Sequence, residues 1–236
     1  MDRSFISSHR GEIFEHCLAV LDLCCTHRES IKNVHVVEQS ILRAMIVLTM
    51  KLTETMFKPL FIRILEWAES EVEAKGSMES RNLERSISFY SFVNELAAQQ
   101  RSLFVPYFKY DTENQKLLDS TVTNEKGGKK GLSPKQWRLS ALIISLLQKC
   151  FRYDTENQKF LDSTNFQVLL KPIVSQLVAE PPHSMEDFPN VPSVDEVDDL
   201  LVACLGQMAV TAGSDLLWKP LNFEVLMKNA TNGLML

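Results

Sequence analysis

The chain has 236 residues, of which 45% are hydrophobic, and its formal net charge at pH 7 is −5. This length allows one large domain or a short stack of repeats, and the composition is typical of a folded globular protein. Eight glycines are few for a turn-rich all-β fold, and the negative charge excludes a bulk basic surface for nonspecific binding to phosphates.

Residues 1–30 are expected to form a helical flank. Residues 1–11 are polar and lack the apolar segment of a secretory signal. The flank holds a cluster of potential metal ligands, but the cluster has no Cys-x-x-Cys pair, so buried, reduced thiols are favoured over zinc. The cluster consists of His16, Cys17, Cys24, Cys25 and His27.

Apolar residues recur at intervals of three and four in six later stretches, which is the spacing of one face of an α-helix. Two of the six follow a capping box, in which a serine precedes Gln136 or Glu196 by three residues. No alternating pattern of useful length indicates a strand, and no apolar run reaches the ~20 residues of a membrane span. The six stretches are 34–52, 57–68, 83–97, 139–150, 166–177 and 197–208.

A short pattern of an apolar or aromatic residue, lysine, proline and an apolar residue recurs at Pro59, Pro172 and Pro220, with a looser copy at Pro106. Two intervals between these prolines are 47 and 48 residues, and the third is 66 because it includes a glycine–lysine insertion. HEAT-type helix pairs repeat every ~40–47 residues. We therefore expect an all-α fold, an α-α superhelix of HEAT- or armadillo-like repeats, with each proline opening or kinking a helix at one fixed place.

The predicted organisation has three parts. The flank over residues 1–30 is followed by a HEAT-like domain over residues 31–228 and by a divergent tail over residues 229–236. Polar and proline-rich composition predicts loops inside the domain near 121–133 and 180–193.

A second repeat is of a different kind. Residues 110–121 recur as residues 153–164 with eleven of twelve positions identical, and only Leu117 becomes Phe160. Structural repeats keep their apolar spacing while their polar residues drift, so identity of a polar string indicates a recent duplication or a gene-model artefact. It carries no functional weight.

Lysines near the first loop form a possible basic contact site for RNA or an acidic partner. The loop does not fit the phosphate-binding G-x-x-x-x-G-K-[ST] pattern, and no strand precedes it. No serine, histidine and acid arrangement indicates a nucleophile, so we expect no catalytic residue, metal, cofactor or small-molecule substrate. The lysines are Lys126, Lys129, Lys130 and Lys135.

Several of these segments resemble one known family. Residues 48–61 and 65–68, together with 101–108, 165–177 and 215–222, are similar to the C-terminal domain of the very large HEAT-repeat protein of the small-subunit processome, the Utp-ten or BAP-twenty-eight type, and most of all to its plant members. The motif residues that carry the resemblance are Phe57, Lys58, Pro59, Leu60, Phe61, Trp67, Pro106, Pro172, Trp218, Lys219 and Pro220.

The resemblance implies a non-catalytic scaffold of the nucleus and nucleolus. It would support pre-18S rRNA processing and ribosome biogenesis, with a link to transcription of ribosomal DNA. Its partners would be processome proteins, with pre-rRNA or small nucleolar RNA as further contacts in a ribonucleoprotein, and no membrane. Family members are many times longer, so we expect a truncated form.

Two rival functions come from other classes. One is a general helical-repeat adaptor that binds proteins unrelated to ribosomes. The other is a helical hydrolase that uses the acidic runs or the Cys/His cluster of the flank. Stoichiometric zinc in the purified protein would favour the hydrolase, whereas nucleolar localisation would favour the scaffold.

Overall fold

Helices make up all the regular secondary structure in the part of the chain that the computed structural model describes, which is residues 3–70, 78–108, 132–156, 158–177, 179–184, 190–212, 219–220 and 222–223. The expected all-α class is confirmed. The longer helices are α1 (Arg3–Thr26), α2 (Val34–Thr49), α3 (Glu54–Glu69), α4 (Met78–Gln100), α5 (Pro134–Tyr153), α6 (Ser163–Gln176) and α7 (Val194–Ala212), with a 3-10 helix at Arg101–Leu103. Each predicted stripe falls on one of them, except that Leu52 and Leu177 lie just beyond a helix end.

The chain divides into two compact units, residues 1–96 and 97–236. In the first unit α1 packs against α2 and α3. Helix α4 joins the same core through aromatic contacts, because the ring of Phe89 lies 6.2 Å from the ring of Phe61 in α3. Both rings are fully buried, as are Phe14 in α1 and Met45 in α2. Each helix thus contributes one apolar face to a shared interior, as the stripes predict.

In the second unit α5 packs against α7, which also contacts α6. Phe160 fills the space between the helices, with its ring 5.5 Å from that of Phe108 and 6.2 Å from that of Phe151. The Thr211 hydroxyl near the end of α7 donates to the carbonyl oxygen of Phe151 at 3.1 Å. This bond fixes the last turn of α7 against the end of α5.

Both predicted capping boxes are present. At the start of α5, the Gln136 amide nitrogen donates to Ser133 Oγ at 3.3 Å, and the Ser133 amide nitrogen donates to Gln136 Oε1 at 2.9 Å. At the start of α7, Glu196 and Ser193 form the same reciprocal pair at 3.2 and 2.7 Å. Each box satisfies amides that the helix itself leaves without acceptors.

The prediction that the prolines mark one fixed place in a helix is wrong. Pro59 lies five residues after the start of α3, and Pro172 lies nine residues after the start of α6, so neither opens its helix. Pro106 is instead the second of the helical residues 105–108. An interior proline removes one i to i−4 hydrogen bond. At Pro59 the carbonyl that loses its donor belongs to the exposed Thr55, where water can replace the amide.

The second copy of the duplicated string forms a closed loop between α5 and α6. The Asp154 carboxylate accepts from the backbone amides of Thr155, Phe160 and Leu161 at 2.9, 3.0 and 3.0 Å. Asp162 then caps α6 by accepting from the amide of Asn165 at 2.8 Å. The first copy lies outside the described residues. The string is therefore structural where it is described, and its polar side chains satisfy the backbone of a tight connection.

The predicted boundaries at residues 30, 228 and the two loops remain predictions. Residues 121–131 of the first loop and 185–189 of the second lie outside the described residues, whereas the short stretch 179–184 has no regular structure. Within the described helices, no segment is long and apolar enough to span a membrane.

Candidate interaction surfaces

The family motif of α3 places its aromatic residues inside and its Lys-Pro step outside. Phe57 and Phe61 are one helical turn apart and buried, with ring centroids 5.9 Å apart in an edge-to-face arrangement. Lys58 and Pro59 between them are exposed, and Leu60 is half-buried. The motif therefore has one face in the core and one face exposed to solvent.

The other motif residues divide in the same way. Trp67 is buried near the end of α3, Pro106 is exposed, and Pro172 is half-buried against α5. Lys219 is exposed and Pro220 is half-buried. Trp218 lies outside the described residues, so its expected role remains a prediction, as do the roles of the other motif residues.

A buried polar cluster, which the sequence did not predict, joins three elements of the first unit. The Arg28 guanidinium, in the loop after α1, lies 3.0 Å from a carboxylate oxygen of Glu84 in α4 and 3.6 Å from one of Glu38 in α2. Glu38 also accepts from the Ser88 hydroxyl. Both carboxylates are almost fully buried, and a buried charge needs such partners because desolvation is costly.

Arg85, next to Glu84 in α4, extends this buried polar cluster to the end of α3. Its Nε donates to Asp22 Oδ1 in α1 at 2.7 Å, and its Nη1 donates to Ser70 Oγ at 2.8 Å. The guanidinium also lies 5.4 Å from the ring centre of the motif residue Trp67. Arg85 thus ties α1, α4 and the end of α3 together, and it does so beside a family-motif side chain.

The cysteines and histidines of the flank are not brought together. Cys24 and Cys25 are buried, whereas His16 and His27 are exposed. Burial, and to a smaller extent the nearby Glu38 carboxylate, raise the pKa of Cys25 to about 12. A protonated thiol is a poor metal ligand. Within the described residues, no group of three His, Cys, Asp or Glu side chains is arranged to hold a metal ion.

The second unit contains an open groove of about 440 Å³. Helix α5 forms one wall with Arg138, Ala141, Leu142 and Ser145. The other wall and the end come from residues 190–200, through Asn190, Val191, Pro192, Glu196 and Leu200. Its lining combines five apolar residues with four polar or charged ones, Arg138, Ser145, Asn190 and Glu196.

Trp137 holds this groove in shape. Its indole Nε1 donates to the carbonyl oxygen of Pro192 at 3.0 Å, and its ring is buried. Glu196 is held as well, because its carboxylate accepts from the backbone amide and hydroxyl of Ser193. These hydrogen bonds lower the pKa of Glu196, which therefore stays ionised.

Of the predicted basic site, the structure describes only Lys135; Lys126, Lys129 and Lys130 lie outside the described residues. Lys135 is half-buried at the start of α5, and its grouping with the other three lysines remains a prediction. The same helix carries Arg138, Lys149 and Arg152, and its sequence contains no acidic residue. These four cations are separated by three, eleven and three residues. Such spacing places side chains on one face of a helix, so the sequence alone could have predicted the row.

Comparisons with known proteins agree with this architecture. An uncharacterized protein of Arabidopsis thaliana is 50% identical over 97% of this chain and 11% of its own length. The HEAT repeat-containing protein 1 of Homo sapiens is 28% identical over 97% of this chain and 10% of its own length. The U3 small nucleolar RNA-associated protein 10 of Scheffersomyces stipitis is 36% identical over 33% of this chain and 4% of its own length.

The chain thus spans about a tenth of the length of its Arabidopsis and human relatives. The names of the relatives, together with the described helices, confirm the predicted HEAT-type helical-repeat class. The resemblance drawn from the motif residues is confirmed too. Residues 5–159 match the BP28CT (NUC211) domain, so this chain belongs to that family.

Proposed function

We propose that this chain is a non-catalytic scaffold segment of the small-subunit processome, located in the nucleus and nucleolus. It would contact processome proteins and pre-rRNA or small nucleolar RNA, and so support pre-18S rRNA processing and ribosome biogenesis. The observation that carries this proposal is the match of residues 5–159 to a family whose relatives include a U3 small nucleolar RNA-associated protein.

The geometry supports a binding role. The motif aromatics Phe57 and Phe61 stabilise a helix whose outer face presents Lys58 and Pro59, and a hydrogen bond from Trp137 joins the two walls of the groove in the second unit. A surface held by buried aromatic rings and capped helices loses little conformational entropy on binding. Most of the affinity at such a surface comes from a few well-packed side chains.

The proposal is tested by expressing the complete chain with a fluorescent tag and recording its location beside a nucleolar marker. We expect nucleolar accumulation and co-purification of processome proteins. The matched control is the Phe61→Ala variant, which should lose the core of the α3 motif and with it both properties. A diffuse cytoplasmic signal with partners unrelated to ribosomes would contradict the proposal and favour a general adaptor.

A further inference from the structure

Four cations lie along one face of α5. Lys135, Arg138, Lys149 and Arg152 are separated by three, eleven and three residues, and Leu142 and Ser145 occupy the positions between them. At 1.5 Å per residue this face is about 26 Å long. The six side chains, named here the basic face of α5, are half-buried or exposed, while the opposite side of the helix is buried.

The charge of this face contrasts with that of the chain. The chain is acidic overall, with a net charge of −5, yet α5 holds four basic and no acidic residues. A local row of cations in an acidic protein concentrates positive potential along one line and attracts a polyanion to that line. Repeated cations along about five helical turns suit a ligand with regularly repeated negative charge.

The C-terminal part of the row has geometry suited to phosphate. The Lys149 ammonium lies 2.6 Å from the Ser145 hydroxyl, so two polar groups converge at one point of the face. At its C-terminal end, the Arg152 guanidinium lies 5.9 Å from the ring centre of Tyr153, which holds its planar group against a flat aromatic surface. Guanidinium and ammonium groups are the usual phosphate ligands in proteins.

The groove lies directly beside this row. Arg138, Leu142 and Ser145 belong both to the basic face and to the groove wall. The groove, of about 440 Å³, places apolar side chains such as Leu142, Val191 and Leu200 next to the cations. Cations beside apolar side chains suit single-stranded RNA, whose phosphates repeat along one edge and whose bases have apolar faces.

Acidic residues also lie near this face: the carbonyl oxygen of Glu180 accepts from the amide of Leu132 just before α5, and Asp154 and Glu156 follow α5 in the chain. Glu196 lies on the wall opposite α5, and its carboxylate is engaged by Ser193. From there it can accept hydrogen bonds from the amino groups of bases, as Asn190 can beside it. Asp195, Asp198 and Asp199 do not line the groove.

We propose that the basic face of α5 and the adjoining groove bind single-stranded RNA, with phosphates along α5 and bases over the groove. This inference deepens the proposed function, because it names the surface through which an RNA-associated scaffold would hold RNA. It differs from the contact site predicted around Lys126, Lys129 and Lys130. The proposed ligand is an RNA strand. The alternative ligand is an acidic protein segment, and the experiment below distinguishes the two.

The test measures binding of the complete chain to a fluorescent oligouridine of about 20 nucleotides over a range of salt concentrations. Four phosphate contacts predict a slope of about −2.8 for log K against log salt concentration. The double variants Lys135→Gln/Arg138→Gln and Lys149→Gln/Arg152→Gln should each reduce the slope by about 1.4 and weaken binding roughly tenfold at low salt.

The matched control is Arg43→Gln/Lys51→Gln, which removes the same charge from exposed positions of the first unit. It should leave the slope and the Kd of the wild-type chain unchanged. Equal losses in the control and in the α5 variants would overturn the proposal. So would displacement of the RNA by polyglutamate at the same charge concentration, which would identify an acidic protein as the ligand.

A second measurement keeps the test decisive if a variant fails to fold, which loss of helical circular dichroism would reveal. The wild-type chain is cross-linked by ultraviolet light to oligouridine that contains 4-thiouridine, and the cross-linked peptides are identified by mass spectrometry. We expect cross-links in α5 and in residues 190–200. Cross-links confined to the rest of the chain would overturn the proposal, whatever the cellular location of the protein.

Discussion

Arg85 in α4 donates from its Nε to Asp22 Oδ1 in α1 across 2.7 Å, and this pair fixes the register of two helices that are 63 residues apart in sequence. Arg85 is 7% exposed, whereas the Asp22 side chain is 39% exposed. The ion pair therefore has one buried and one partly solvated member. Its contribution should lie between those of a buried and a surface pair.

Removing Asp22 should destabilise the first unit more than removing a surface partner of the same geometry. Among the described residues, Asp22→Ala leaves the buried guanidinium with only neutral acceptors, from Ser70 and Trp67. We expect the free energy of unfolding to fall by about 2 kcal/mol, less than for a fully buried pair because water screens Asp22. Urea denaturation followed by circular dichroism measures the change.

The matched control is Glu15→Ala. Glu15 Oε1 accepts from Arg63 Nε at 2.8 Å, but both side chains are about half exposed. That variant should lose under about 1 kcal/mol. If both variants lost the same free energy of unfolding, burial of Arg85 would not strengthen its ion pair with Asp22.

Phe160→Leu makes the two copies of the duplicated string identical and tests whether the second copy depends on its one difference. Phe160 is fully buried between Phe108 and Phe151. A leucine loses both ring contacts and leaves unfilled volume, so the free energy of unfolding should fall by about 1–2 kcal/mol. Thermal unfolding monitored by circular dichroism measures it.

The control for this substitution is Glu156→Gln in the same loop, where the side chain is exposed. Its stability should remain within about 0.5 kcal/mol of the wild type. A Phe160→Leu variant as stable as this control would mean that the ring contacts do not hold the loop between α5 and α6.

Ser140→Ala should stabilise the second unit. Ser140 Oγ is buried in α5, and among the described residues no hydrogen-bond partner lies near it. An unsatisfied buried hydroxyl costs about 1 kcal/mol or more, and alanine also favours the helix. Urea denaturation should show a gain of about 1 kcal/mol, whereas a loss of that size would reveal a bound water in the small space beside Pro172.

The raised pKa of Cys204 predicts that the protein loses stability at alkaline pH. Burial raises the pKa of this thiol to about 12 from an ordinary value of 9.0. The folded state therefore holds the proton more tightly than the unfolded state, so this contribution is complete below pH 9 and declines as the pH rises towards 12. Under reducing conditions, the wild type should lose stability from about pH 8 to about pH 10 more steeply than Cys204→Ala.

The control is Cys17→Ala, because Cys17 is only half-buried. Its stability should decline over this pH range nearly as steeply as that of the wild type. A Cys204→Ala variant with the same pH dependence as Cys17→Ala would contradict the assignment of a strongly raised pKa to Cys204.

Local signals in the sequence were sufficient to predict the helices. The boxes at Ser133 and Ser193 depend on side chains three residues apart, and the apolar stripes depend on one helix at a time. The polar cluster was missed because Glu38 and Glu84 belong to helices far apart in sequence, and nothing local indicates that Arg28 pairs with both. Only packing brings such residues together.

The positions of the prolines were over-interpreted. Their regular spacing correctly indicated a repeated helical architecture, but spacing along the chain does not determine depth within a helix. Pro59 is tolerated inside α3 because it faces solvent, whereas Pro172 packs against α5. The row of cations on α5 was not predicted, because helical spacing was applied to apolar residues only.

The central claim is that this BP28CT-family chain is a scaffold segment of the small-subunit processome. The most direct measurement is recovery of the tagged complete chain from cell extract, followed by quantification of U3 small nucleolar RNA relative to 5S rRNA in the same sample. The account predicts enrichment of U3 over an untagged control and loss of that enrichment in Phe61→Ala. Recovery of U3 at the level of the untagged control, with the chain intact and folded, would contradict it.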